Sequence, residues 1–290
     1  MNNFFLNESQ LFAIIALILI LGGIEMPAKK KETKIICFAN NKGGSGKSTT
    51  CANLGFALSK MGKNVLLIDG DMQTNLSLSF FGDETVFELA SGDKNIFKAL
   101  KGVTALSDCI IRSPYDNLDV IASSSLMSGI EFELYPRIQR EFILKKLLKP
   151  IKESGNYDYI LIDAPPTLGT WVVNILAASD YLIIPVEASP WGLFGLGNMY
   201  EFINEISEIA PDLEILGILV TKVSERRNYF KQTMETLKES GNRVFESYVR
   251  TDVNIEKAQD ESKPVMVFSP RSRSSMEFYN LAAEVDKLCQ

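Results

Sequence analysis

From residue 34 onward, short apolar runs alternate with longer stretches whose apolar positions recur every three or four residues. The runs are Lys34–Ala39, Val65–Ile68, Leu118–Ile121, Tyr159–Ile162, Leu182–Val186 and Ile215–Val220. They are dominated by Ile, Leu and Val with little polar alternation, which predicts strands buried on both faces. Helical spacing predicts helices over Ser48–Lys60, Arg137–Lys152, Leu196–Ile209, Asn228–Glu239 and Ser274–Leu288. Strands separated by helices predict an α/β fold with a mostly parallel sheet flanked by helices on both faces. Ligands of such sheets bind at the carboxyl ends of the strands. No repeat, low-complexity tract or linker interrupts this pattern, so residues 26–290 read as a single domain.

Residues 1–25 break the pattern. Leu11–Leu21 is uninterrupted apolar sequence, and Gly22-Gly23-Ile24 prolongs it to about 14 residues, roughly 21 Å as a helix against a hydrocarbon core of ~30 Å. Glu8 precedes the run and no positive charge does, an arrangement unlike a signal peptide. Lys29–Lys31 follow it, so an inserted run would leave the main domain in the cytoplasm. Met26 also begins a workable start just before the first strand. Two readings stand: an upstream stretch that the cell does not translate, or a membrane or interfacial anchor. The intact mass of the natively expressed protein separates them.

Composition narrows the chemistry. Histidine is absent, which excludes an imidazole base or ligand and with it Ser-His-Asp hydrolysis. Cys37, Cys51, Cys109 and Cys289 are scattered without zinc spacing. The formal net charge of −6 excludes coating nucleic acid through overall charge, so any such contact needs a local basic patch.

The most specific chemistry lies at Asn41-Lys42-Gly43-Gly44-Ser45-Gly46-Lys47-Ser48-Thr49. Gly46, Lys47 and Ser48 fill the last places of a phosphate-binding loop, whose first glycine position holds Asn41, and a second lysine, Lys42, follows at once. The glycines let successive N–H groups face a phosphate chain at a helix N-terminus. Lys47 can reach the β- and γ-phosphates and the Ser48 hydroxyl can ligate Mg²⁺. The strand-like run before the loop and the helix-like run after it supply the context the motif requires.

Two further segments put carboxylates at strand ends. Tyr159–Ile162 leads into Asp163-Ala164-Pro165-Pro166, the arrangement that places an aspartate near Mg²⁺. Leu66-Leu67-Ile68 leads into Asp69-Gly70-Asp71, whose carboxylates share a face on an extended backbone. One of them can orient an attacking water, and simple turn chemistry is the competing explanation.

Lys42 to Ser48, Asp69-x-Asp71-x-Gln73-x-Asn75 and Asp163-x-Pro165-Pro166 together resemble the deviant Walker A ATPases of the ParA/MinD group, most closely the ParA-type partition ATPases. The resemblance continues through Leu182–Pro185, Thr221, Glu256-Lys257-Ala258, Lys263-Pro264 and Ser269 to Arg273, covering roughly residues 33–290. It implies a P-loop NTPase fold, ATP and Mg²⁺ as ligands, and a homodimer formed on ATP. By that resemblance Lys42 crosses to the phosphates bound in the other subunit. Gly43, Gly44, Ser45, Gly46, Lys47, Ser48 and Thr49 cradle the nucleotide, with Thr49 near the α-phosphate. Ser48 and Asp163 serve Mg²⁺, and Asp71 serves water activation. Thr221-Lys222 and Arg250–Asp252 are adenine-pocket candidates by position.

The same resemblance implies non-specific binding to double-stranded DNA, hydrolysis stimulated by a ParB-like centromere-binding protein, and a cytoplasmic, nucleoid-associated location. Here the chain departs from the family pattern. The usual proline-arginine-asparagine is replaced by Arg250-Thr251-Asp252, and a later arginine place holds Asn254. Arg271 and Arg273 match the family's basic pair, so the DNA candidates are Arg250, Arg271 and Arg273, with Arg226, Arg227 and Lys231 as another basic cluster. The nearest rival is a MinD-like ATPase that positions cargo or binds membrane. That group ends in a basic amphipathic helix, whereas this chain ends in the acidic, core-like Glu277–Gln290. No cysteine pair follows Asp163 to bridge an iron–sulfur cluster, and no terminal tyrosine cluster suggests a bacterial tyrosine kinase.

Overall fold

The computed structural model describes residues 32–224, 229–239 and 241–290. The apolar N-terminal run, and Arg226 and Arg227 of the basic cluster, lie outside the described residues.

In chain order the elements are β1 (Lys34–Phe38), α1 (Lys47–Lys60), β2 (Val65–Asp69), α2 (Asn75–Leu78), α3 (Asp83–Ser91), α4 (Ile96–Lys101), β3 (Ile110–Arg112), β4 (Leu118–Ile121), α5 (Ile130–Leu134) and α6 (Ile143–Ser154). They continue as β5 (Tyr159–Asp163), α7 (Thr170–Ala178), β6 (Tyr181–Glu187), α8 (Pro190–Glu205), β7 (Glu214–Thr221), α9 (Tyr229–Glu239), α10 (Val253–Asp260), α11 (Val265–Phe268) and α12 (Arg273–Leu288). The strands form one sheet in the order β3-β4-β2-β5-β1-β6-β7. Every pairing is parallel except β3 with β4.

All six predicted strands are present. The short edge strand β3 was not predicted from the pattern, because three residues with a half-exposed face carry too little periodicity. The strands alternate between two cores. Ile35, Cys37, Leu66, Ile68, Ile160 and Ile162 face α6, α7 and α8, through Leu144, Leu148, Trp171, Ile175 and Met199. Ile36, Phe38, Val65, Leu67, Tyr159 and Leu161 face α1 and α12, through Cys51, Leu54, Leu58, Phe278 and Leu281. A two-residue period on strands covered by helices on both sides leaves nearly all interior positions apolar.

The helix predicted to begin at Leu196 begins at Pro190 instead. Ser189 accepts the Gly192 N–H as N-cap, and Pro190 occupies the first turn, where its missing N–H costs nothing. The three glycines of this stretch hide that start from a propensity reading. The helix predicted from Arg137 becomes regular only at Ile143, after a short 3₁₀ turn over Arg140–Phe142. Among the described residues no helix is long and apolar enough to cross a membrane.

Candidate functional site

Three strand ends meet at the site because of the register. Phe38, the last residue of β1, pairs with Asp163, and Asp69, the last residue of β2, pairs with the same Asp163. The phosphate-binding loop leaves β1 there and runs into α1. Its turn into the helix is made by Gly46, at φ 91°, a left-handed conformation that side chains other than glycine's adopt at a cost. Three hydrogen bonds brace the loop. Asn40 donates to the Pro185 carbonyl at 2.7 Å and accepts the Lys42 N–H at 3.0 Å. The Thr221 hydroxyl donates to the Ser45 carbonyl at 2.7 Å.

The two loop lysines are used differently. Lys47 is buried and its ammonium donates to the Lys42 carbonyl at 3.3 Å. Burial lowers its pKa, and the charges of Asp163 and Asp71 work the other way. Lys42 turns out of the loop, where its Nζ meets Glu187 Oε2 at 2.5 Å and the Ser189 hydroxyl at 3.5 Å.

The acidic residues also divide. Asp69 is fully buried and accepts from Ser77 N (2.8 Å), Ser77 Oγ (2.6 Å) and Asp71 N (3.2 Å). Burial pushes its carboxyl up to about 6 despite those bonds. It is a strut that holds the turn after β2. Asp71 lines the cleft and accepts the Gln73 N–H at 3.0 Å. Asp163 is fully buried, and neither of its oxygens makes a hydrogen bond of ordinary geometry. Burial, then the charge of Asp69, raises its pKa well above the usual carboxylate range; the Ser48 hydroxyl and Lys47 oppose that rise.

An orphaned buried carboxylate beside a serine hydroxyl fits a divalent cation. Among the described residues no three acidic or thiol groups converge as an all-protein metal cage. Mg²⁺ keeps waters and phosphate oxygens, so one carboxylate and one hydroxyl suffice as its protein ligands. Gly70 ties the two acidic segments together. Its N–H donates to the Asp163 carbonyl at 2.9 Å, and its own carbonyl accepts Trp171 Nε1 at 2.8 Å. A Cβ at this position would lie 2.6 Å from the Asp163 carbonyl oxygen. Gly70→Ala is therefore expected to lower stability by roughly 1–3 kcal/mol, checked by urea denaturation.

The loop opens into a cleft of about 850 Å³. Gly43, Gly44, Gly46, Lys47, Ser48, Thr49 and Asp71 line it. Thr221, Lys222 and Arg250–Asp252, the segments expected at the adenine end, line the same cleft. Val249, Ile255, Gln259 and Phe278 also line it, and Gln259 Nε2 donates to Thr49 Oγ1 at 2.9 Å. No sequence motif marks these four, since they belong to α10, α12 and the loop before α10. Among the basic candidates, Arg271 and Arg273 are exposed at the start of α12. The Arg250 guanidinium is held by Glu277 and stacks 5.3 Å over the Tyr248 ring.

A phosphate loop after β1, a buried aspartate at the end of the neighbouring central strand β5 and a nucleotide-sized cleft lined by the loop and Asp71 define a P-loop nucleotide hydrolase. Residues 33–215 match the family model described as an AAA domain. The chain is 37% identical over 254 residues to the sporulation initiation inhibitor protein Soj of Bacillus subtilis, covering 87% of this chain and 98% of that one. It is 31% identical over 254 residues to the chromosome partitioning protein ParA of Caulobacter vibrioides, covering 87% and 93%. The crystal structure of a putative plasmid partition protein from Borrelia burgdorferi bound to AMPPNP superposes with a TM-score of 0.75 at 28% identity, covering 88% and 99%. The chain belongs to the ParA/MinD family of P-loop ATPases.

Proposed function

We propose that this ATPase is a DNA partition motor that dimerises on ATP, binds duplex DNA without sequence preference and is reset by hydrolysis. The division of labour between its two lysines carries the reading. Lys47 is sunk in the phosphate loop, whereas Lys42 turns away from that cleft toward Glu187 and Ser189. A cation held outside the cleft by Glu187 can be turned to phosphates presented by a second copy, adding positive charge only when two subunits meet.

Within one subunit the loop N–H groups and Lys47 grip the phosphates, and Thr49 lies toward the α-phosphate. Ser48 and Asp163 are the residues that would hold Mg²⁺. When bound, the cation neutralises charge that develops on the phosphate oxygens. Asp71 faces the cleft with one oxygen fixed by Gln73, and orients the attacking water. Arg271 and Arg273 carry the DNA contact, in the cytoplasm on the nucleoid. A ParB-like centromere-binding protein stimulates turnover. AMPPNP in the Borrelia relative supports an adenine nucleotide here.

Binding of the full chain to random-sequence duplex DNA, titrated with salt in Mg²⁺-ATP and in Mg²⁺-ADP, tests the reading. The expected result is binding with ATP alone. Two arginines per subunit predict a log–log salt slope of about −3 to −4 for the dimer. Absence of binding in both states would remove the DNA-carried motor and leave a protein- or membrane-tracking ATPase. Lys42→Ala is expected to bind ATP with near-normal affinity yet sediment as a monomer. An ordinary ATP dimer of that variant would refute the role given to Lys42.

A further inference from the structure

The cleft wall and the basic pair share one buried carboxylate. Glu277 on α12 is nearly inaccessible to solvent, with its side chain 8% exposed. One of its oxygens accepts the Arg250 N–H at 3.0 Å, and the other accepts Arg250 Nε at 2.6 Å. The second oxygen also lies 3.6 Å from Arg273 Nε. Arg273 closes the loop from outside, donating from Nη2 to the Thr251 carbonyl at 2.9 Å. Arg250 and Thr251 line the nucleotide cleft, as does Phe278, the next residue of α12.

The same segment hangs on the sheet that braces the phosphate loop. Val249 N donates to the Val220 carbonyl at 3.0 Å, and Thr251 N donates to the Val223 carbonyl at 3.0 Å. Thr221, between those two acceptors, holds Ser45. One short path of hydrogen bonds thus runs from the phosphate loop through the end of β7 and residues 249–251 to the guanidinium of Arg273.

We infer that Glu277 is a positioning residue that couples nucleotide occupancy of the cleft to binding of the DNA phosphate backbone at Arg271 and Arg273. This rests on the DNA reading above. A nucleotide seated against residues 249–252 fixes the Thr251 carbonyl, and that carbonyl together with Glu277 fixes the Arg273 fork. A guanidinium already held in one pose loses less freedom when a phosphate arrives. Glu277 also explains why the two guanidinium groups can lie so close. It neutralises one of them and leaves a net positive charge at the exposed end. Linkage requires that the effect be reciprocal, with DNA tightening nucleotide.

The test is Glu277→Gln in the full chain, with duplex DNA affinity measured with and without Mg²⁺-ATP and with dimerisation followed by sedimentation. In the wild type ATP is expected to tighten DNA binding by about tenfold or more. In the variant the ATP effect is expected to shrink by at least about threefold, to what dimerisation alone supplies, while ATP still produces the dimer. A variant that keeps the wild-type ratio overturns the inference. So does one that loses ATP-dependent dimerisation along with it, because the effect would then belong to assembly.

Should Glu277→Gln fail to fold, Glu277→Asp, which keeps the charge but shortens its reach to Arg250 and Arg273, is held to the same outcomes. Hydrogen exchange supplies a readout that needs no DNA. Mg²⁺-ATP alone is expected to slow exchange across residues 269–280 in the wild type and not in the variant. If the wild type binds no DNA in either state, the DNA reading fails. The exchange result then decides the link by itself, and an equal response in wild type and variant overturns it.

Discussion

Lys47→Ala is expected to lower affinity for Mg²⁺-ATP by at least about 100-fold while leaving the protein folded, measured by titration calorimetry. The magnitude follows from where the ammonium sits. Lys47 begins α1 directly after the left-handed turn at Gly46, so its stem lies under the loop and its charge sits among the loop carbonyls. A charge-assisted hydrogen bond contributes about 1.5–3 kcal/mol, and this cation serves more than one phosphate oxygen. Burial already lowers its pKa, so the ammonium is a poorly solvated charge that gains strongly from a polyanion. Its removal also withdraws the positive charge that opposes the raised pKa of Asp163. Affinity within a few-fold of wild type would mean that the nucleotide does not occupy this loop. Lys42→Ala serves as the internal comparison, since that side chain is held outside the cleft and its loss is expected to spare binding in the isolated subunit.

Asp71→Ala is expected to abolish turnover, by about 10²–10⁴-fold, with ATP affinity retained and the dimer persisting. The paired prediction is that Asp69→Ala behaves differently. Asp69 holds the N–H and hydroxyl of Ser77 and the N–H of Asp71, and is itself fully buried. Deleting it leaves buried donors unsatisfied, at roughly 1–3 kcal/mol each, so that variant loses stability first and turnover as a consequence. Steady-state phosphate release, sedimentation with ATP and chemical denaturation together separate the two. Normal turnover in Asp71→Ala would move the water-orienting role to another group. Normal stability in Asp69→Ala would deny Asp69 its structural role.

The contrast between these aspartates shows how far the sequence can be read. Two carboxylates two residues apart after an apolar strand announce a site, and extended geometry puts them on one face. The structure separates them because β2 ends at Asp69, and the chain turns at Gly70 under the Asp163 carbonyl. Only Asp71 is carried into the cleft. The start of α8 shows the converse. Pro190-Trp191-Gly192-Leu193-Phe194-Gly195 has the composition of a loop, and the Ser189 cap with packing against the sheet makes it helical. Short β3 and α10, the latter capped by Asp252, escape for lack of length.

By itself, the sequence determined the α/β architecture, the phosphate loop and the acidic strand ends. Those depend on residues close along the chain, whose spacing local geometry turns directly into shape. Tertiary structure alone decided which distant side chains meet. Lys42 finds Glu187 across 145 positions and Thr49 finds Gln259 across 210. Glu277 gathers Arg250 and Arg273 from the cleft wall and its own helix. Such pairs are fixed by strand order and by the packing of α12 against the sheet. Hydrophobic burial on both faces sets that arrangement without marking the polar residues it brings together.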